Sequence, residues 1–265
     1  MKISFYGYNT FLIKTENKNI LIDPGGGFYL FKGWLKSLVP KSEWEDITHI
    51  FVTHGDPDHY WHVDRVAEKS GAPVICNKTM VQEINSKQLI LGPRDRGLTF
   101  TTEIENLHTL APYETIDVNE IEITGIQTAH GPLEFRIGPF SKTLHPGPNE
   151  RIGWGSIGFE ISIDKNRVVN LGDTIIHRDE WKTIDSPEVL MIPIGGGHVH
   201  NTMDENEALE TVAMLKPKLV IPCHYNCGGL HQKNANPANE DYFKREVKKM
   251  GFDCVLLGIN ESVEL

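Results

Sequence analysis

Short apolar runs and polar breaks alternate along the whole chain. Lys2–Tyr8, Thr10–Thr15 and Asn19–Asp23 read as strands, and the turn Glu16-Asn17-Lys18 joins the last two as a hairpin. An aromatic-rich excursion, Gly25–Trp44, precedes a buried strand at Ile47–Thr53, centred on Ile50, Phe51 and Val52. The spacing then predicts a helix over Trp61–Ser70 stopped by Gly71, a strand over Pro73–Asn77 and a short helix over Thr79–Ser86. Glu114–Val118 and Ile121–Thr128 form a second predicted hairpin.

The same order recurs downstream. Ser156–Ile163 and Arg167–Leu171 pair across Asp164-Lys165-Asn166. Val189–Ile194 and Leu219–Pro222 are continuous apolar runs, the pattern of strands buried on both faces. Between them Asp204–Leu215 reads as a helix, with Thr202-x-x-Glu205 as its capping box and Pro217 beyond its end. A last helix spans about Asn239 to Met250, stopped by Gly251. Hairpins followed by βα units, twice over, predict an α/β (α+β) sandwich of two mixed sheets with helices outside. No linker interrupts the pattern, so residues 1–265 read as a single domain built from two similar halves.

The strand ends carry the chemistry. Ile47–Thr53 runs into His54-Gly55-Asp56-Pro57-Asp58-His59. One such residue in a turn is ordinary. Two imidazoles and two carboxylates within six residues form a metal-ligand set. Four further strands end on residues of the same kind: His130, Asp173 in LGDT, His198 after three glycines, and His224 in PCHY. Open α/β sheets place their sites at such an edge.

Composition narrows the function. The net charge of −10 disfavours nucleic acid and anionic membranes as partners, because phosphate binding relies on Lys and Arg. No run of eighteen apolar residues occurs, so no transmembrane helix is expected. Cys76, Cys223, Cys227 and Cys254 lack CxxC spacing and read as reduced thiols. The start, MKISFYGYNTFLIK, lacks a signal-peptide pattern, so a cytoplasmic location is expected. The expected partner is a small-molecule substrate; a homo-oligomer is compatible with the sequence.

His54-x-Asp56-x-Asp58-His59, His130, Asp173 and His224 resemble, in order and spacing, the ligand motifs of the metallo-β-lactamase superfamily. Leu21-Ile22-Asp23-Pro24-Gly25 is also usual there, and the resemblance covers nearly the whole chain. Pro193–Leu209, PIGGGHVHNTMDENEAL, is similar to a stretch of the UlaG-like metal-dependent hydrolases, the branch that includes ascorbate-6-phosphate lactonase. The resemblance implies a four-layer αββα sandwich holding one or two divalent metal ions (Zn, Mn or Fe). It implies hydrolysis of a small ester, lactone or phosphodiester by metal-activated water.

One position departs from the family pattern: Asp56 stands where a second histidine is usual. With two ions bound, the resemblance implies that His54, Asp56 and His130 hold the first. Asp58, His59 and His224 hold the second, and Asp173 bridges. Two divalent ions, three aspartates and one hydroxide sum to neutrality, which shifts preference toward the oxygen-loving Mn or Fe without excluding Zn. If the shorter Asp56 falls short, only the second ion fills.

Asp58 is the expected orienter of the nucleophile, and His198 the expected contact for substrate or proton transfer. His62, His177 and His200 are weaker candidates. Phe28, Tyr29, Phe31 and Trp34 could wall the pocket or pack as a surface helix. The stretch Gly131–Gly155, with Arg136, Lys142, His145 and Arg151, reads as a long loop that could bind an anionic substrate or simply be solvated. Two alternatives stand beside hydrolysis. One is a di-iron redox protein: flavodiiron relatives carry Glu at the place of Asp56, with a flavodoxin domain not evident here. The other is a metal-binding regulator without turnover.

Overall fold

A computed structural model describes residues 1–27, 36–84, 87–91, 101–137, 140–146, 152–196, 200–227 and 236–265. Two seven-stranded sheets dominate it. The first runs, in spatial order, Leu107–Leu110, Val74–Asn77, His49–Val52, Asn19–Ile22, Thr10–Lys14, Lys2–Gly7 and Ser262–Glu264. The second runs Thr115–Val118, Ile121–Ile126, Gly158–Ile163, Asn166–Asn170, Val189–Pro193, Leu219–Cys223 and Asp253–Cys254. Each sheet is antiparallel on one side and parallel on the other, with the change at Asn19–Ile22 in the first and at Asn166–Asn170 in the second.

Strand alternation explains why the apolar runs are continuous. Ile20, Ile22, Phe51 and Ile75 point into the space between the sheets, where they meet Ile161, Val168, Met191 and Ile221. The intervening Leu21, Ile50, Val52 and Val74 face the opposite way, against Val63 and Val66 of the helix Val63–Ser70. Val169, Leu190, Ile192 and Val220 do the same in the second sheet, under Val212 of the helix Glu205–Leu215 and Phe243 of the helix Glu240–Lys249. A strand buried on both faces has no polar face to alternate with. The result is the expected order of layers: helix, sheet, sheet, helix.

Three local expectations change. Thr79–Ser86 is not a helix: a 3-10 turn at Lys78–Met80 passes into the strand Val81–Ile84, which pairs antiparallel with Lys87–Leu91. Asp204, not Thr202, caps the helix Glu205–Leu215, and its box partner is Glu207. Thr202 is buried and exchanges hydrogen bonds with the backbone of Thr174 instead. Gly131–Gly155 is not one long loop: it contains the hairpin Leu133–Ile137 with Phe140–Leu144. Lys142 and His145 are exposed; Arg151 and the side chain of Arg136 lie outside the described residues, as do Phe28, Tyr29, Phe31 and Trp34.

The four cysteines are buried free thiols. Among the described residues, no helix is long and apolar enough to cross a membrane.

Candidate metal centre

The strand His49–Val52 belongs to the first sheet, and after four further residues the chain enters a one-turn helix, Pro57–Tyr60. Pro57 sits at its first position, where the missing N–H costs nothing. This tight turn swings His54, Asp56, Asp58 and His59 to one edge. Gly25 allows it to sit there: a Cβ on Gly25 would lie 1.5 Å from the Asp58 carbonyl oxygen. The second sheet supplies His130, Asp173 and His224 from the facing side.

The seven residues converge. Asp56 Oδ2 lies 3.4 Å from His54 Nε2 and 3.8 Å from His130 Nε2. Asp58 Oδ2 lies 3.5 Å from His59 Nε2 and 3.4 Å from His224 Nε2. Asp173 Oδ2 reaches His224 at 2.9 Å, His59 at 3.5 Å and His130 at 3.7 Å. The ligand-capable atoms of His54, Asp56 and His130 lie within 4.8 Å of one another, as do those of Asp58, His59 and His224. His54, His59 and Asp173 form a third such group that joins the two. Asp56 therefore stands beside both His54 and His130.

Hydrogen bonds behind the cluster set the imidazole tautomers. His59 Nδ1 donates to Asp23 Oδ2 at 2.7 Å. His130 Nδ1 donates to the Gly131 carbonyl at 2.6 Å. The Thr53 hydroxyl spends its proton on Asp23 Oδ2, at 2.6 Å, and so accepts from His54 Nδ1 at 3.1 Å. These bonds hold a proton on Nδ1 of each of the three rings and aim Nε2, the atom a ligating histidine would offer, at the cluster. His54 Nε2, His59 Nε2 and Asp173 Oδ1 are buried and have no hydrogen-bond partner among the described residues. Unpartnered buried polar atoms are costly unless something else fills them. A divalent cation fits this donor set of imidazole nitrogens and carboxylate oxygens.

The electrostatics point the same way. Burial would raise the Asp58 and Asp173 carboxyls, but the facing histidines outweigh it and hold both well below the usual carboxylate range. Burial would lower His59, His130 and His224, yet the aspartates raise all three, His224 to about 9. Without an ion, protons neutralise the concentrated negative charge; a metal ion can take that place.

Several neighbours were invisible or unassigned in the sequence. Asp23 is fully buried and accepts from Thr53 N, Thr53 Oγ1, Asn9 Nδ2 and His59 Nδ1. Gly153 N donates to Asp56 Oδ2 at 3.1 Å, and Gly153 packs so close to His130 that a Cβ would lie 2.1 Å from that of the histidine. Its φ of +62° also favours glycine. The position of Asp23 at the end of a central strand, like that of Asp173, was the available signal.

Among the weaker candidates, His62 packs on Trp44 and His177 on Trp181, away from the cluster. His200 is exposed and faces Glu207 at 3.1 Å. His198 lies outside the described residues.

Known proteins share this plan. A UPF0173 metal-dependent hydrolase of Nanoarchaeum equitans is 27% identical over 270 residues, covering 100% of both chains. The solved structure of Igni18, a metallo hydrolase of Ignicoccus hospitalis, superposes with a TM-score of 0.70 at 18% identity, covering 99% of this chain and 97% of that one. CmlA, a diiron β-hydroxylase of Streptomyces venezuelae, superposes with a TM-score of 0.64 at 16% identity over 100% of this chain and 54% of its own. These two structural likenesses concern the fold. The family model described as the beta-lactamase superfamily domain matches residues 2–224, and the chain belongs to that family.

Proposed function

We propose that the protein is a metal-dependent hydrolase of a small ester, lactone or phosphodiester, akin to the UlaG-like branch. The observation that carries this reading is the pair of adjoining triads, His54/Asp56/His130 and Asp58/His59/His224, with Asp173 between them. Each triad would hold one divalent ion, Zn, Mn or Fe. Such ions supply Lewis acidity and lower the pKa of a coordinated water.

The residues contribute the rest. Asp58 and Asp56 are the open side of the cluster, with side chains 23% and 16% exposed, while the other five are 5% exposed or less. Water and substrate therefore approach past these carboxylates. Asp58 orients the attacking water by accepting its hydrogen bond. The Tyr8 ring stands edge-on to His224, with centroids 5.7 Å apart. The glycine-rich stretch before His198 leads us to assign that histidine to substrate contact or to protonation of the leaving group. An anionic substrate would suit the exposed Lys142 of the strand Phe140–Leu144.

The test begins with metal analysis of protein purified without chelator. A panel of esters, lactones and phosphodiesters follows, with wild type and His59→Ala. Metal-dependent turnover of one class, lost in His59→Ala, is the expected result. Stoichiometric metal without hydrolysis would favour a regulator. Turnover that consumes dioxygen would favour a di-iron oxidant.

A further inference from the structure

Asn9 sits in the turn between the strands Lys2–Gly7 and Thr10–Lys14, fully buried, and it touches no ion-binding group directly. All four hydrogen-bonding positions of its amide are used. Its two N–H bonds go to Asp23 Oδ2 at 2.7 Å and to Asn170 Oδ1 at 3.0 Å. Its oxygen accepts from Asn170 Nδ2 at 3.0 Å and from Cys223 Sγ at 3.4 Å. The carboxylate at one end and the Gly172 N–H bound to Asn170 Oδ1 at the other allow only one orientation of each amide.

The three arms end behind His59 and His224 of the second triad and behind Asp173, which lies between the triads. Asp23 holds His59 Nδ1. Asn170 holds the backbone of Gly172, the residue before Asp173. Cys223 precedes His224, whose backbone N–H in turn donates to the Tyr8 carbonyl at 2.8 Å, the residue before Asn9. The first triad is braced differently: His130 by Gly131, Asp56 by Gly153 and His54 by Thr53. It reaches Asn9 through Thr53 and Asp23, and through Asp173, which faces His130.

We propose that Asn9 is a positioning residue for the second ion, the one held by Asp58, His59 and His224. The inference rests on the two-triad reading given above. One amide sets the mutual placement of His59, Asp173 and His224 across both sheets, and it acts on the first triad less directly, through the shared Asp173 and through Asp23 and Thr53.

Cobalt(II) is the probe, read by its visible absorption and by chelator competition. The His54→Ala protein isolates the second site, and Asp58→Ala isolates the first. Asn9→Leu keeps the volume and removes every hydrogen bond. In the His54→Ala background it should weaken cobalt binding about tenfold, the lower end of the cost of losing an orienting partner. In the Asp58→Ala background the loss should be clearly smaller, because only the shared Asp173 and the Asp23–Thr53 contact carry it there. The cobalt spectrum of the second site should shift as its geometry loosens. If the leucine is not accommodated, the smaller variants Asn9→Ser and Asn170→Ala give the same comparison. Equal losses in both backgrounds, or no loss at the second site, overturn the proposal. A His54→Ala protein that binds no cobalt would sink the two-triad reading itself, and it would do so before any Asn9 variant is compared.

Discussion

Replacing Asp23 by asparagine keeps the shape of the side chain and removes one of its two acceptor oxygens. In the native protein Oδ1 accepts from Thr53 N at 2.7 Å, and Oδ2 accepts from Thr53 Oγ1, Asn9 Nδ2 and His59 Nδ1 at 2.6, 2.7 and 2.7 Å. If the amide oxygen stays toward Thr53 N, the new NH2 faces three donors. The threonine hydroxyl can turn, but His59 must then bare Nδ1 and carry its proton on Nε2. If the oxygen takes the other place, the NH2 faces the buried Thr53 N–H. Either arrangement orphans at least one buried donor, at about 1–3 kcal/mol of stability. The first also caps the nitrogen that faces Asp58 and Asp173. Loss of such a partner lowers metal affinity about 10–100-fold, or roughly 1.4–2.8 kcal/mol. Urea unfolding of the metal-free protein measures the first cost and chelator competition the second. Nitrogen-15 NMR of the His59 ring reads the tautomer. Wild-type affinity with the His59 proton still on Nδ1 would refute this account of how the ring is aimed.

Asp56→Ala should empty the first triad and leave the second largely filled, while Asp56→His should refill it and shift preference toward Zn; stoichiometry by elemental analysis decides, and unchanged binding in Asp56→Ala would show that Asp56 is not a ligand. Stability of the metal-free protein should peak between about pH 4 and 6.5 as far as this cluster controls it. His224, raised from 6.5 to about 9, contributes fully below 6.5 and loses its contribution as pH rises through 9. Asp173, held well below 3.8, contributes above that value and loses it as pH falls. The gain in Tm on adding Zn should therefore grow from pH 6 to pH 9, and an equal gain throughout would count against the assignment. Burial pushes the Cys76 thiol up to about 12 and Cys254 to about 11, and it raises Cys223 and Cys227 as well. A thiol reagent at pH 8 should label the folded protein slowly and label four groups after unfolding.

Much of this molecule was legible as pattern. The buried strands announced themselves because both of their faces are apolar, so Ile47–Thr53 and Val189–Ile194 needed only local reading. The ligand candidates were legible because His54, His130, Asp173 and His224 stand within four residues of a strand end, and Asp56, Asp58 and His59 follow His54 in the same turn. Capping was less so: TMDENE offers two residues with Glu three places on, and only the tertiary demand of Thr174 on Thr202 decides between them. The strand Val81–Ile84 depends on its partner Lys87–Leu91, which no window over Thr79–Ser86 contains. The support behind the cluster was the least visible. Asn9 and Asn170 are 161 residues apart, and nothing near either one signals the other. Polar residues in turns look alike until the fold shows which of them are buried.

The candidate ligands are divided between the sheets. His54, Asp56, Asp58 and His59 follow a strand of the first, whereas His130, Asp173 and His224 belong to the second. Each triad takes two members from one side and one from the other, so neither half alone can complete a coordination shell. The first triad closes only once residues 54 and 130 have met, and the second once residues 58 and 224 have met, long-range contacts of the slow kind. An ion can then join only near the end of folding, after the barrier has been crossed. Interactions absent from the transition state slow unfolding and leave the folding rate nearly unchanged. Divalent ions should accordingly lower the unfolding limb of a chevron and leave its refolding limb in place, making the ion a clasp that governs how long the sandwich lasts rather than how fast it forms.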